Sequence, residues 1–195
     1  MKKLNGINKK NIAVFISGRG SNLKSLIKYS KLKKSRFNVK LVVTNKKKAK
    51  GLGYARRNKI TNFFVNYKNR NKAEKKILFF LRKNKINIIC LAGFMKILSD
   101  KFIKEFKGKI LNTHPSLLPK YKGLNTHQRA LNNKEKYSGF TIHLVNEKLD
   151  SGKIIFQKKI KILKKDDENS LSKRLLKIEN LIYPKAIKKF IASNL

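Results

Sequence analysis

Acidic residues are scarce in this chain: 10 Asp and Glu stand against 50 Lys and Arg in 195 residues, a formal net charge of +40. Cysteine is nearly missing, and Cys90 alone can close no internal disulfide and no Cys-x-x-Cys metal or redox site. No apolar run approaches the ~20 residues of a membrane span. The longest, Ile86 to Met95, is short and interrupted by Asn87. The opening Met1-Lys2-Lys3-Leu4-Asn5 lacks the apolar segment of a secretory signal. These absences exclude a secreted disulfide scaffold, a membrane span and a cysteine-based zinc module. A reducing, cytoplasmic setting is expected. What is present, 41% apolar and 31% charged residues, suffices for a buried core. The length suits one domain spanning 1–195.

A basic chain attracts phosphate, and nucleic acid is the first partner to weigh. Nucleic-acid proteins concentrate Lys and Arg on one face or tail, whereas Lys is spread here from Lys2 to Lys189. Lys, Asn and Ile together are what A/T-biased codons supply, so the charge reads mainly as compositional drift and no specific nucleic acid is expected. Ser138 to Leu144 is the nearest match to an RNA-recognition strand, but it misses the basic first residue and the small residue after Phe140.

Short apolar runs at Ile12–Ile16, Val39–Val43, Thr61–Val65 and Ile86–Leu91 read as strands. Helical spacing recurs between them: Leu23, Leu26 and Ile27; Ala49 to Asn58; Ala73, Ile77, Phe80 and Leu81; and a short helix capped by Ser99. Alternating strands and helices predict an α/β fold, a Rossmann-like, mostly parallel twisted sheet with helices on both faces. Beyond Leu111, a loop marked by Pro115, Pro119 and Gly123 leads to a short helix near Gln128–Leu131. Two further strands follow, Phe140–Val145 and Ile154–Ile162. A C-terminal helix from Leu171 is expected to break at Pro184.

Two segments carry chemistry. Ser17-Gly18-Arg19-Gly20-Ser21-Asn22 joins the first strand to the first helix. Glycine lets backbone N–H groups approach an anion at a helix N-terminus. Leu23 occupies the third glycine position of a dinucleotide fingerprint, and no Gly-Lys-Ser/Thr follows, so the turn suits a single phosphomonoester. The plainer alternative is a tight turn with Ser21 as N-cap.

The second segment is Leu111-Asn112-Thr113-His114-Pro115-Ser116-Leu117-Leu118-Pro119. Residues i and i+2 of a strand share a face, so Asn112 and His114 project together from a strand end. α/β sheets place their ligands there. An amide donor can stabilise an oxyanion while an imidazole moves a proton. Asp150, in a turn between two strands, could orient His114 and shuttle protons through water. His114, His127 and His143 as zinc ligands form the rival, with a spacing that fits no standard pattern.

Together these residues resemble the phosphoribosylglycinamide formyltransferases over about Ile12 to Phe190. The resemblance rests on Ile16 to Leu23, Leu91-Ala92-Gly93-Phe94-Met95-Lys96-Ile97-Leu98, the Asn112–Pro119 run, Gly123 to His127, and Leu149-Asp150-Ser151-Gly152. It implies that Asn112, His114 and Asp150 are catalytic. Gly20, Ser21, Asn22 and Leu23 would hold the phosphate and ribose of glycinamide ribonucleotide, with Glu179 as a further substrate contact. Arg70, Met95, Lys96, Ile97 and Leu98, with Asn112 and the stretch Asn146, Glu147, Lys148, Leu149, Asp150, would hold 10-formyltetrahydrofolate as formyl donor, without metal. The expected partners are these small molecules, the state a monomer or homodimer. Lys96, Lys122 and Lys153 depart from the family pattern, and Arg and Lys are not interchangeable for bidentate carboxylate binding.

Three other readings compete. A methionyl-tRNA formyltransferase shares the Asn-His-Pro-Ser core but carries a C-terminal domain for which no length is expected here. A formyltetrahydrofolate hydrolase carries an N-terminal regulatory domain. A basic RNA-binding module has no use for the Asn112, His114 and Asp150 set.

Self-repulsion at this net charge destabilises the compact state, and an anion bound to it relieves the repulsion. The melting temperature is therefore expected to rise with added inorganic phosphate in a thermal denaturation series. An unchanged or falling value contradicts both the repulsion and the anion site.

Overall fold

The computed structural model describes residues 8–194. One seven-stranded sheet organises them, in the order β3-β2-β1-β4-β5-β6-β7. The strands are β1 (Lys10–Ile16), β2 (Phe37–Thr44), β3 (Thr61–Phe64), β4 (Ile88–Leu91), β5 (Lys109–His114), β6 (Tyr137–Leu144) and β7 (Ile154–Lys161). β1 to β5 pair in parallel; β5–β6 and β6–β7 are antiparallel. The helices are α1 (Ser21–Ser30), α2 (Leu52–Arg57), α3 (Arg70–Lys83), α4 (Asp100–Glu105), α5 (Thr126–Asn132) and α6 (Glu168–Asn194). The Rossmann-like α/β architecture expected from the alternating pattern is present. α2 is shorter than the expected Ala49–Asn58 segment.

The continuous apolar runs follow from burial on both sheet faces. In β1, Ile12, Val14 and Ile16 enter a core shared with α1, α2 and α6. Ala13 and Phe15 point the other way, into a core with Ala73, Ile77, Leu78 and Leu81 of α3 and Phe102 of α4. The same parity divides β5: Leu111 joins the α6 side and Ile110 the α3 side. Asn112 and His114 share parity with Ile110, so they continue the α3 face beyond its apolar cover.

Strand order reverses between β1 and β4, where chain crossovers part to opposite sides and leave a crevice at the strand ends. The Ser17 N–H donates to the Gly93 carbonyl across this crevice at 3.1 Å.

α6 corrects one expectation. It runs unbroken for 27 residues with Pro184 inside it. A proline withholds one helical hydrogen bond, but packing continues on both sides: Leu171, Leu175, Tyr183, Ile187, Phe190 and Ile191 are all buried. Tertiary burial of this stripe outweighs the local defect. The Tyr183 hydroxyl also reaches the carbonyls of Leu91 at 3.1 Å and Leu111 at 3.3 Å, pinning α6 beneath the end of β4 and the middle of β5.

Replacing Tyr183 with Phe removes a buried donor from these carbonyls and leaves the ring in place. Chemical denaturation is expected to show a loss of about 1–3 kcal/mol, with an unchanged m-value.

Candidate active site

The turn between β1 and α1 is shaped by a backbone approach. Gly20 has φ +74° and serves as N-cap of α1; a Cβ there would stand 2.7 Å from the Gly51 Cα. A side chain at Gly20 would force the two backbones apart, and one at Gly51 would first meet the Ile16 side chain, 2.5 Å from its Cβ. No side chain caps α1, which corrects the alternative that made Ser21 the N-cap: Ser21 is the first helical residue. The first-turn N–H groups therefore lack an intrahelical partner and are open to an anion. Leu23 is wholly buried, so its N–H is what it can offer there.

Asn22 is turned inward. Its Nδ2 donates to Glu179 Oε1 at 2.5 Å, while its buried Oδ1 has no partner. Burial is the largest influence on Glu179 and pushes its carboxyl above the usual range, against the opposing effect of the Asn22 hydrogen bond. Glu179 thus meets the phosphate turn on the α6 face, and it contacts none of Asn112, His114 and Asp150.

Those three side chains converge. Asn112 and His114 end β5, and His114 Nδ1 lies 3.3 Å from Asp150 Oδ2. The same carboxylate oxygen accepts the Gly123 N–H at 2.9 Å. His114 and Asp150 are buried, 5% and 9% exposed, so their contact is little screened by water. Desolvation is the largest influence on Asp150 and acts upward. The Gly123 N–H and the charge of His114 oppose it and hold the carboxyl below its usual range. Asp150 therefore stays ionised at neutral pH.

His114 Nε2 is 2.8 Å from the Tyr121 carbonyl oxygen. Both ring nitrogens thus face oxygen acceptors, a setting that the doubly protonated imidazolium satisfies completely. Tyr121 has φ +56° and is held from α5 by the Arg129 guanidinium, 5.2 Å from its ring centroid.

His143 and Tyr121 join the cluster although sequence reasoning gave neither a role in orienting these groups. His143 was weighed as a metal ligand only. It stands directly opposite Asn112 in the β5–β6 register, a pairing that no local sequence signal carries. Among the described residues, no group of three or more His, Cys, Asp and Glu side chains has the geometry to hold a metal ion. His127 lies on α5 with a buried Nδ1 that has no partner, and desolvation lowers its pKa.

Two loops border the cluster. After β4, Met95 and Ile97 are exposed, as is Lys96, while Leu98 is buried and anchors the segment. The Met95 N–H donates to Ser17 Oγ at 2.8 Å, tying this loop to the phosphate turn. Beyond Leu98, buried Glu74 of α3 accepts the Ser99 N–H at 2.9 Å and also the Ser99 hydroxyl, which fixes the start of α4. The second loop, between β6 and β7, carries Asn146, Glu147, Lys148 and exposed Leu149. Arg70 opens α3, close enough to Tyr67 to affect its hydroxyl, and the Tyr67 ring packs edge-on to Phe94. The depression lined by Arg82, Lys101, Lys104, Glu105 and Lys107 lies at the opposite, amino end of β5 and meets none of these groups.

The raised Glu179 carboxyl has a pH signature. As pH rises past the ordinary value near 4.3, the unfolded chain ionises first and stability falls until the folded group also ionises. Glu179→Gln is expected to raise the melting temperature more at about pH 8 than at about pH 4, measured by thermal denaturation across that range.

Comparisons place this arrangement among known proteins. A formyl transferase family model matches residues 10–187. The chain is 41% identical over 182 residues to the human trifunctional purine biosynthetic protein adenosine-3, covering 92% of this chain and 18% of that protein. It covers 14% of the Drosophila melanogaster counterpart, so it spans under a fifth of these trifunctional relatives. It is 40% identical over 189 residues to the phosphoribosylglycinamide formyltransferase of Haemophilus influenzae, covering 95% of this chain and 89% of that one. The crystal structure of phosphoribosylglycinamide formyltransferase from Brucella melitensis superposes with a TM-score of 0.88 at 40% identity, covering 93% of this chain and 95% of that one. With a family model matched over most of its length and relatives of this identity, the chain belongs to the formyl transferase family.

Proposed function

We propose that this chain transfers the formyl group of 10-formyltetrahydrofolate to the amine of N1-(5-phospho-D-ribosyl)glycinamide, a step of purine biosynthesis. The observation that carries the reading is the convergence of Asn112, His114 and Asp150 at the crevice that also holds an uncapped helix N-terminus. The Haemophilus influenzae relative, matched over nearly its whole length, bears the corresponding name.

The phosphate is held by the first-turn N–H groups of α1 at Ser21, Asn22 and Leu23, with Glu179 and the unpartnered Asn22 Oδ1 available to the ribose. The folate lies between the exposed Met95 and Ile97 on one side and Leu149 on the other, an apolar rim around a polar centre. Lys96 within that rim and Arg70 at the start of α3 are the cations assigned to its carboxylates.

Orientation turns the encounter of two small molecules into a positioned reaction. The neutral amine attacks the formyl carbon, and a C–N bond forms as the carbonyl π pair moves onto oxygen. Asn112 Nδ2–H and the protonated His114 ring stabilise that oxyanion. The Tyr121 carbonyl accepts from Nε2–H in the unliganded chain; a full negative charge displaces it, because charge-assisted hydrogen bonds are roughly twice as strong. Asp150 stabilises the imidazolium and, through water, takes a proton from the attacking nitrogen and returns it to N10. The bond from carbon to N10 then breaks. No covalent enzyme intermediate and no metal is required.

The test is single-turnover formyl transfer with His114→Ala and Asp150→Asn. Losing one oxyanion donor slows such a step by about 10²–10³-fold, and a drop of this order is expected for both. Rates within a few-fold of wild type refute the assignment. An assay with 10-formyltetrahydrofolate and glycinamide ribonucleotide tests the substrates themselves.

A further inference from the structure

We propose that His143 is a positioning residue for Asn112: one neutral tautomer of its ring fixes which way the carboxamide faces, and protonation releases it. The inference deepens the formyl-transfer reading above and rests on it. His143 is 2% exposed and sits on β6 opposite Asn112 of β5. Its Nδ1 lies 2.8 Å from the Leu144 carbonyl oxygen. A carbonyl only accepts, so Nδ1 carries the proton and Nε2 of the neutral ring is a bare acceptor. Asn112 Nδ2 stands 3.3 Å from that Nε2.

This pairing resolves an ambiguity that Asn112 cannot resolve alone. A carboxamide has nearly the same shape after a half-turn, but the turn exchanges donors for acceptors. Flipped, Asn112 would set Oδ1 against the lone pair of Nε2. The bare nitrogen therefore selects the orientation in which one Nδ2–H is held by His143 and the carboxamide nitrogen, not its oxygen, is on this side of the cluster. The second Nδ2–H remains for a developing oxyanion.

The groups facing the ring define what protonation does. From the β6–β7 loop, Asp150 Oδ1 lies 3.6 Å from Nε2, beyond hydrogen-bond distance. His114 stands on the other oxygen of that carboxylate. β5 contributes the neutral Asn112, and β7 contributes Ile154 as register partner. When Nε2 gains a proton, it turns from acceptor to donor and Asp150 becomes its partner. Asn112 loses its acceptor, and the half-turned carboxamide, Oδ1 toward the ring, becomes favoured. The oxyanion then loses a donor. An acid limb of the activity profile follows wherever the ring carries that second proton.

The test combines single-turnover pH profiles from about pH 5.5 to 8.5 with nitrogen-15 imidazole spectra of the ligand-free wild type. His143→Leu is expected to slow formyl transfer about 10- to 100-fold, a large part of one oxyanion donor, with the half-saturating glycinamide ribonucleotide concentration altered less than about threefold. His143→Gln offers a neutral acceptor, so it is expected to recover most of that loss and to flatten the acid limb. The spectra should show the proton on Nδ1 at about pH 7.5. A proton on Nε2 there overturns the inference whatever the activity, and so does a Gln variant whose acid limb coincides with that of wild type. These readings hold even if the Leu variant fails to fold. A wild type inert toward both substrates instead overturns the formyl-transfer reading.

Discussion

The register of β5 between a parallel and an antiparallel neighbour is the constraint on which the site depends. Leu91 and His143 flank Asn112 on the two sides, one from β4 and one from β6. Slipping β6 by a single residue would move His143 to the other face and replace it with an aliphatic neighbour. The apolar cores above and below the sheet resist that slip, because every buried side chain of β6 would change faces with it. Rigid packing thus sets the lateral position of a polar group that no local hydrogen bond could hold as firmly. α6 reinforces this from below through Tyr183, whose hydroxyl joins the end of β4 to the middle of β5.

Charge is distributed in an unusual way around this framework. The surface is dominated by lysine, yet three of the chain's 10 carboxylates, Glu74, Asp150 and Glu179, are buried. Each links elements far apart in sequence. Glu74 ties α3 to the start of α4, Asp150 ties the β6–β7 loop to β5, and Glu179 ties α6 to α1. Their environments differ in kind. Asp150 meets the His114 ring and an N–H group and is held ionised, whereas burial pushes Glu179 toward its neutral form. Two carboxyl groups near one crevice are thereby suited to separate tasks, one electrostatic and one a hydrogen-bonding contact.

Much of this architecture was legible in the residues. The alternation of short apolar runs with helical spacing yields the parallel sheet, because strands buried on both faces admit few polar residues. The i, i+2 spacing of Asn112 and His114 placed both on one face, and Asp150 meets His114 as anticipated. Elsewhere a tertiary effect overrode a local rule. Pro184 reads as a helix breaker, but the apolar stripe around it buries too much surface for the helix to stop. Ser21 reads as an N-cap, but Gly20, left-handed and packed against Gly51, takes that position. His143 and Tyr121 were illegible because their roles arise from strand pairing and from the path of the loop between β5 and α5, both long-range outcomes. Glu179 shares the crevice yet packs on the opposite face of β5 from the trio, a division visible only once the sheet is formed.

The contact between Gly20 and Gly51 also bears on how such a chain can change. Across most of its exterior, a solvent-facing position can become lysine without disturbing what lies beneath, and this chain has done so abundantly. Where two backbones touch, even a methyl group on Gly20 has nowhere to go, because the obstacle is main chain rather than a side chain that could shrink. Genetic drift can therefore repaint nearly the entire outside of the molecule while Gly20 stays frozen.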